Sequence, residues 1–219
     1  MKKLILAFLL AAAPVLGMAA GGNVQLDDAN IDLTDKESLQ RGAKLFMNYC
    51  LSCHSAKYQR YNRMARDLDM TEDEVKQNLM FTTDKIGDTM NIAMDPEDAA
   101  AWFGAAPPDL SVITRARGVD WVYTYLRGFE PDESRPFGVN NKVFPDVGMP
   151  HVLWKLQKDQ AVEKFDSDMR DLTAFMAYVG EPIAVERKRI GTYVLIFIAI
   201  FFVLSYLLKK EYWKDVPKH

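Results

Sequence analysis

Two cysteines and three histidines are all that this 219-residue chain contains of those types. Cys50 and Cys53 are too close together to tie distant segments into a disulfide framework. A zinc site built on the pair would have to recruit both remaining histidines, His151 and His219. Excess positive charge is also missing: 27 basic residues face 30 acidic ones, for a net charge of −3 at pH 7. That balance argues against a nucleic-acid partner, whose affinity comes largely from phosphate neutralisation. No internal repeat, no long low-complexity stretch and no convincing run of alternating polar and apolar residues is present. The fold class expected is therefore mainly α.

Both cysteines fall in Cys50-Leu51-Ser52-Cys53-His54. A C-x-x-C-H run reads as an attachment site for c-type haem. The two thiols add to the vinyl groups as thioethers, and His54 is placed to ligate the iron from one side. A redox-active dithiol is the rival reading, but it needs a strand leading into the motif. Here Leu39, Ala43 and Phe46 recur at helical spacing over Asp35–Tyr49 instead. Gly42, on that segment, would allow another helix to approach closely.

An electron carrier needs a second axial ligand. Of eleven methionines, Met149 is singled out by its setting, Pro145-Asp146-Val147-Gly148-Met149-Pro150, where prolines stiffen the loop. Met80, Met90 and Met94 sit in or near helical stretches, where core packing is the default. His151 competes with Met149 and would give a bis-histidine haem. Met/His ligation raises the reduction potential. Arg115 and Arg117 each suit a haem propionate, because arginine binds carboxylate in a fork, and each equally suits a solvated surface position. Trp121 and Tyr125 suit packing beside the haem, and ordinary core packing equally well.

Both chain ends are distinctive. Met1–Ala20 starts with Lys2 and Lys3, continues through an apolar run and ends in small residues, the layout of a cleaved secretory leader. Ile190–Leu208 contains no charged residue over 19 positions and is long enough for one membrane span. The division expected is a leader at 1–20, an exported domain at 21–189, a transmembrane helix at 190–208 and a cytoplasmic tail at 209–219. The exported part carries 21 basic and 28 acidic residues, which suits solubility and equally a basic soluble partner.

Within that domain, residues 21–34 read as an extended lead-in. Thr71–Glu74 has the pattern of a capping box opening a helix to about Met80. Asp95-Pro96 and Gly104 bracket a helix through Trp102. Asp120–Arg127 suits a short aromatic helix, and Asp166–Val179 an amphipathic one ended by Gly180-Glu181-Pro182. Glu130–Pro150, rich in proline and glycine, is expected to be mostly loop.

Four stretches together resemble the cytochrome c1 family, the haem subunits of ubiquinol–cytochrome c reductase (bc1) complexes. They are Arg41-Gly42 through Cys50–Ser55; Pro107-Pro108-Asp109-Leu110-Ser111 through Arg115-Ala116-Arg117; Phe144-Pro145 with Gly148-Met149-Pro150; and Asp171-Leu172 through Gly180-Glu181-Pro182, Arg187-Lys188-Arg189 and the terminal span. The resemblance covers nearly all of the chain after its leader. It implies a c-type cytochrome domain wrapped around one covalent haem c, with one C-terminal transmembrane helix. It also implies Cys50 and Cys53 as attachment points, His54 and Met149 as iron ligands, Arg117 as a propionate partner, and Pro107 and Pro108 as pocket lining. Trp121 stands where the family often has tyrosine. The implied role is electron transfer in a bacterial inner membrane, with the haem domain in the periplasm. Electrons would come from a Rieske iron–sulfur protein and leave to a periplasmic cytochrome c, with cytochrome b packed on the anchor.

Overall fold

The computed structural model describes residues 24–215. The expected leader and the last four residues of the tail lie outside them.

Helix α1, Lys36–Tyr49, is capped by Asp35, whose side chain accepts from the Ser38 amide at 3.0 Å. Its buried face, Leu39, Gly42, Ala43 and Phe46, meets the long helix α8, Val162–Gly180, from the other end of the domain. The two cross at Gly42. A Cβ there would lie 2.1 Å from the Asp171 carbonyl oxygen and 2.7 Å from Phe175 Cβ. Only glycine permits that approach. Phe46 and Phe175 pack beside the crossing as a tilted pair, with ring centroids 5.6 Å apart and planes at 54°. The buried Asp171 carboxylate is satisfied there by the Ser38 hydroxyl (2.5 Å) and by Arg41 (2.6 Å).

Between these helices run β1 (Ala56–Arg60), α2 (Tyr61–Asp67), α3 (Glu72–Asn78), β2 (Thr89–Met90), α4 (Pro96–Phe103), α5 (Ile113–Arg117), α6 (Val119–Arg127), β3 (Phe129–Pro131), β4 (Val139–Asn141) and α7 (Trp154–Asp159). Helices α5 and α6 also pack on α8, so one helix supports the others. A Cβ at Gly180 would meet the Thr114 hydroxyl at 2.9 Å, which brings α5 close. Tyr61, Phe46, Phe175, Leu39, Met64 and Leu172 are the fully buried centre.

The capping box forms as its pattern indicates: Glu74 N–H donates to Thr71 Oγ1, and the Glu74 carboxylate accepts from the Thr71 amide. Its helix stops at Asn78, short of Met80. Helix α4 starts at Pro96 after the Asp95 cap and ends at Gly104, in the left-handed region at φ +80°. Of the lead-in, residues 24–32 form neither helix nor strand and residues 33–34 turn, and Ala29 is fully buried. The Ala29 amide donates to Asp120 at 3.0 Å, and its carbonyl accepts from Arg170 at 2.9 Å.

Two features depart from expectation. Strands β1 and β2 pair antiparallel through Ala56↔Met90 and Arg60↔Thr89, with an irregularity between them. The supposed loop after Glu130 contains an antiparallel hairpin, β3 with β4, paired Phe129↔Asn141 through Pro131↔Val139. Strands of two to five residues are too short to show an alternating pattern.

Helix α9, Ala184–Tyr212, begins six residues before the uncharged run. Its 29 residues span ~44 Å, more than the hydrocarbon thickness, so both charged flanks are helical too. It is long and apolar enough to cross a membrane, and its apolar window is wholly exposed. At its base Arg187 pairs with Glu181, which also receives Arg115 at 3.4 Å.

Candidate haem site

The end of α1 shapes the first wall of the site. Cys50 caps the helix, donating its amide to the Phe46 carbonyl at 2.9 Å. The chain then turns tightly: Cys53 N–H (3.0 Å) and His54 N–H (2.8 Å) both donate to the Cys50 carbonyl. Both thiols are free and face the same space. Burial, and secondarily the charge of Cys53, push the Cys50 thiol up to about 12, so it is protonated near neutrality.

His54 Nδ1 lies 2.7 Å from the Pro108 carbonyl oxygen. A carbonyl can only accept, so Nδ1 carries the proton and Nε2 keeps the lone pair. Burial lowers the imidazole below its ordinary value, against the Pro108 hydrogen bond and Asp109, which favours the neutral, ligating form. Pro108 is itself fixed through Asp109. That carboxylate accepts from the Ser55 hydroxyl (2.8 Å) and from the Lys57 (2.9 Å) and Ser111 (2.9 Å) amides. Burial alone would raise Asp109, yet these hydrogen bonds hold it below the usual carboxylate range. The Leu110 amide adds a bond to the Ser55 carbonyl at 2.8 Å.

Helix α6 and the loop before α7 form the opposite wall. The Tyr125 hydroxyl donates to Met149 Sδ across 3.3 Å. Burial raises that phenol to about 12, so it remains a donor. Trp121 stacks on Tyr125 with centroids 5.1 Å apart and planes at 14°. The Arg117 guanidinium lies over Trp121 (5.2 Å) and Phe144 (5.8 Å).

Between the walls is a cavity of roughly 390 Å³. It is lined by Cys50, Cys53, His54, Pro107, Pro108, Arg117, Trp121 and Met149, so one space brings together every residue that the family resemblance pointed to, with Tyr125 beside them. Arg115 is elsewhere, paired with Glu181. His151, the other candidate ligand, lies flat on Phe129 (4.7 Å, 5°) and bonds Gln157 at 2.6 Å, outside the lining. Sequence reasoning missed Phe103, Val122, Leu126 and Val152, which are also among the lining residues. Such apolar residues carry no local signal that separates a pocket from a core.

A haem suits these residues. The walls are apolar, two thiols stand on one edge, and a neutral imidazole and a thioether come from opposite segments. One arginine supplies a cation for a propionate. Among the described residues no three of His, Cys, Asp and Glu gather as a metal cage. Tyr125 and Pro108, both in the lining, and Asp109 behind it fix the orientation of the Met149 thioether and the His54 imidazole through these hydrogen bonds.

The cytochrome C1 family model matches residues 28–216. Cytochrome c1 of Allochromatium vinosum is 51% identical, across 99% of this chain and 100% of that protein. A Nitrosomonas europaea protein named ammonia monooxygenase gamma subunit is 47% identical over 98% of each chain. Cytochrome b/c1 of Bradyrhizobium diazoefficiens is 33% identical over 83% of this chain and 34% of that protein.

Proposed function

This chain belongs to the cytochrome c1 family, and from that membership we propose that it takes single electrons from a Rieske iron–sulfur protein and passes them to a periplasmic cytochrome c. It is a respiratory electron carrier of the bc1 type with covalent haem c. Haem supplies a reversible one-electron iron couple when bound. The residues here attach it, ligate its iron, exclude water and set its field.

The observation that carries the reading is the meeting of His54, both thiols and Met149 around one apolar cavity. In this reading Cys50 and Cys53 would hold the haem as thioethers, and His54 Nε2 and Met149 Sδ would ligate its iron. Arg117 would supply the cation for a propionate, while Pro107, Pro108 and Trp121 would give the haem apolar walls. Residues 1–20 are removed on export, residues 21–189 stand in the periplasm, residues 190–208 cross the bacterial inner membrane, and residues 209–219 remain inside. Cytochrome b packs on α9. The exposed apolar surface of that helix supports this, as does a relative whose name joins b and c1.

The test is a reduced-minus-oxidised spectrum of the detergent-purified complex captured through this chain. Joint c-type and b-type bands, with a Rieske subunit co-purifying, are the expected result. A c-type signal alone would make the chain a free-standing carrier. Co-purification with a monooxygenase instead would favour the association in the Nitrosomonas protein's name. A chain with no haem stain after denaturation, from cells that mature c-type cytochromes, would be a dithiol protein.

A further inference from the structure

Met149 lies at the far end of the connection from β3 to α7. The chain's two cysteines are both in the haem motif, so no disulfide can hold that connection. A thioether is a weak, neutral ligand, and its residence on iron depends on how well the loop is already placed. The structure shows what places it. Arg135, in the turn of the β3–β4 hairpin, reaches across to the residues before Met149. One terminal nitrogen donates to the Asp146 carboxylate at 3.0 Å. The other donates to the Asp146 carbonyl at 2.7 Å, with a longer contact to the Val147 carbonyl at 3.4 Å. The Arg135 side chain is 24% exposed, although Asp146 is 80% exposed. Its Nε is buried and unpartnered. Burying that donor is unfavourable, so the geometry of the fork must be supported by the surrounding fold.

Asp146 also has φ +63°, a left-handed conformation that non-glycine residues rarely adopt without support. Its amide is held by Asn140 Oδ1 at 2.9 Å, and Asn140 Nδ2 donates to Asp132 at 3.0 Å. Next along the strand, Asn141 donates to the Tyr125 carbonyl at 2.8 Å, and Tyr125 donates to Met149. The hairpin thus holds both the approach to Met149 and the helix that bonds its sulfur.

We propose that Arg135 is the positioning residue for the distal ligand, clamping Asp146 and Val147 so that Met149 Sδ is presented to the iron. This rests on the reading of Met149 as that ligand.

The test uses the full haem-loaded chain in its complex. Arg135→Met keeps bulk and removes every donor. The readouts are the reduction potential, the weak far-red sulfur-to-iron absorption band of the ferric state, and carbon monoxide binding to the ferrous state. Arg135→Met should weaken the band, lower the potential and raise the carbon monoxide-reactive fraction on the order of tenfold, about the worth of one charge-assisted hydrogen bond. Arg135→Lys, which restores one donor without the fork, should recover part of each change. If Arg135→Met does not accumulate with haem, Asp146→Asn decides: it keeps the carbonyl acceptor, removes the charge and should show the same changes at smaller size. Unchanged band, potential and carbon monoxide reactivity in a haem-loaded variant, even with a lower melting temperature, would overturn the proposal. Met149→Leu separates the two claims. If that change also leaves band and potential unaltered, Met149 is not the ligand. If it abolishes the band while Arg135→Met does not, the clamp alone fails.

Discussion

The two walls of the cavity are built in opposite ways. His54 follows a fourteen-residue helix anchored on α8, and its turn closes through bonds within five residues. Met149 is placed by a longer irregular segment whose contacts come from α6, from the β3–β4 hairpin and from Arg135. The proximal wall therefore starts from a locally closed turn, which the Pro108–Asp109 segment then orients, whereas the distal wall rests on long-range contacts alone. Local openings of the protein should begin on the distal side, where fewer buried apolar contacts support the backbone. A carrier benefits from that asymmetry, because covalent attachment secures the haem while ligation tunes it.

Removing the local chemistry should have the largest effect. The double change Cys50→Ala and Cys53→Ala should abolish haem stain on denaturing gels, whatever remains of the distal wall. Retained stain would mean attachment elsewhere. Met149→Leu should leave stain intact yet lower the potential by a sizeable part of the ~0.8 V range that axial ligation spans. A redox titration reads it, and an unchanged midpoint would dissolve the contrast between the walls.

Gly42→Val addresses the support beneath the proximal wall. Its side chain has no room against Asp171 and Phe175, so the fold should lose about 3 kcal/mol. Thermal unfolding followed by circular dichroism would show this, and an unchanged melting temperature would mean that the helices do not cross there. The smallest change expected is Tyr125→Phe. It removes one hydrogen bond to sulfur, worth ~1 kcal/mol or less, and should slightly weaken the far-red band without affecting haem attachment. A loss as large as that of Met149→Leu would mean that the phenol, not the loop, dominates distal placement.

Much of the proximal wall was legible because its signals are local. The C-x-x-C-H spacing, the Leu39–Ala43–Phe46 stripe and Gly42 all act within a few residues. The caps at Thr71 and Asp95 and the stop at Gly104 were readable for the same reason. The distal wall was legible only as a stiff loop carrying Met149. The hairpin was invisible because its three-residue strands owe their place to Asn141 bonding the Tyr125 carbonyl, not to a hydrophobic alternation. Arg135 looked like any surface arginine, and α5, five residues long, is too short for helical periodicity.

By itself, the sequence determined that this is a mainly helical, haem-bearing chain with an apolar C-terminal helix. Those properties reside in adjacent residues or in runs of one composition. Only the tertiary structure decided that Met149 lines the cavity while His151 turns onto Phe129, that Arg117 lines it while Arg115 pairs with Glu181, and that Arg135 reaches Asp146. In each case two similar residues sit close in the chain or a partner sits far along it. The choice depends on which way the folded backbone points each side chain, and spacing alone does not encode that.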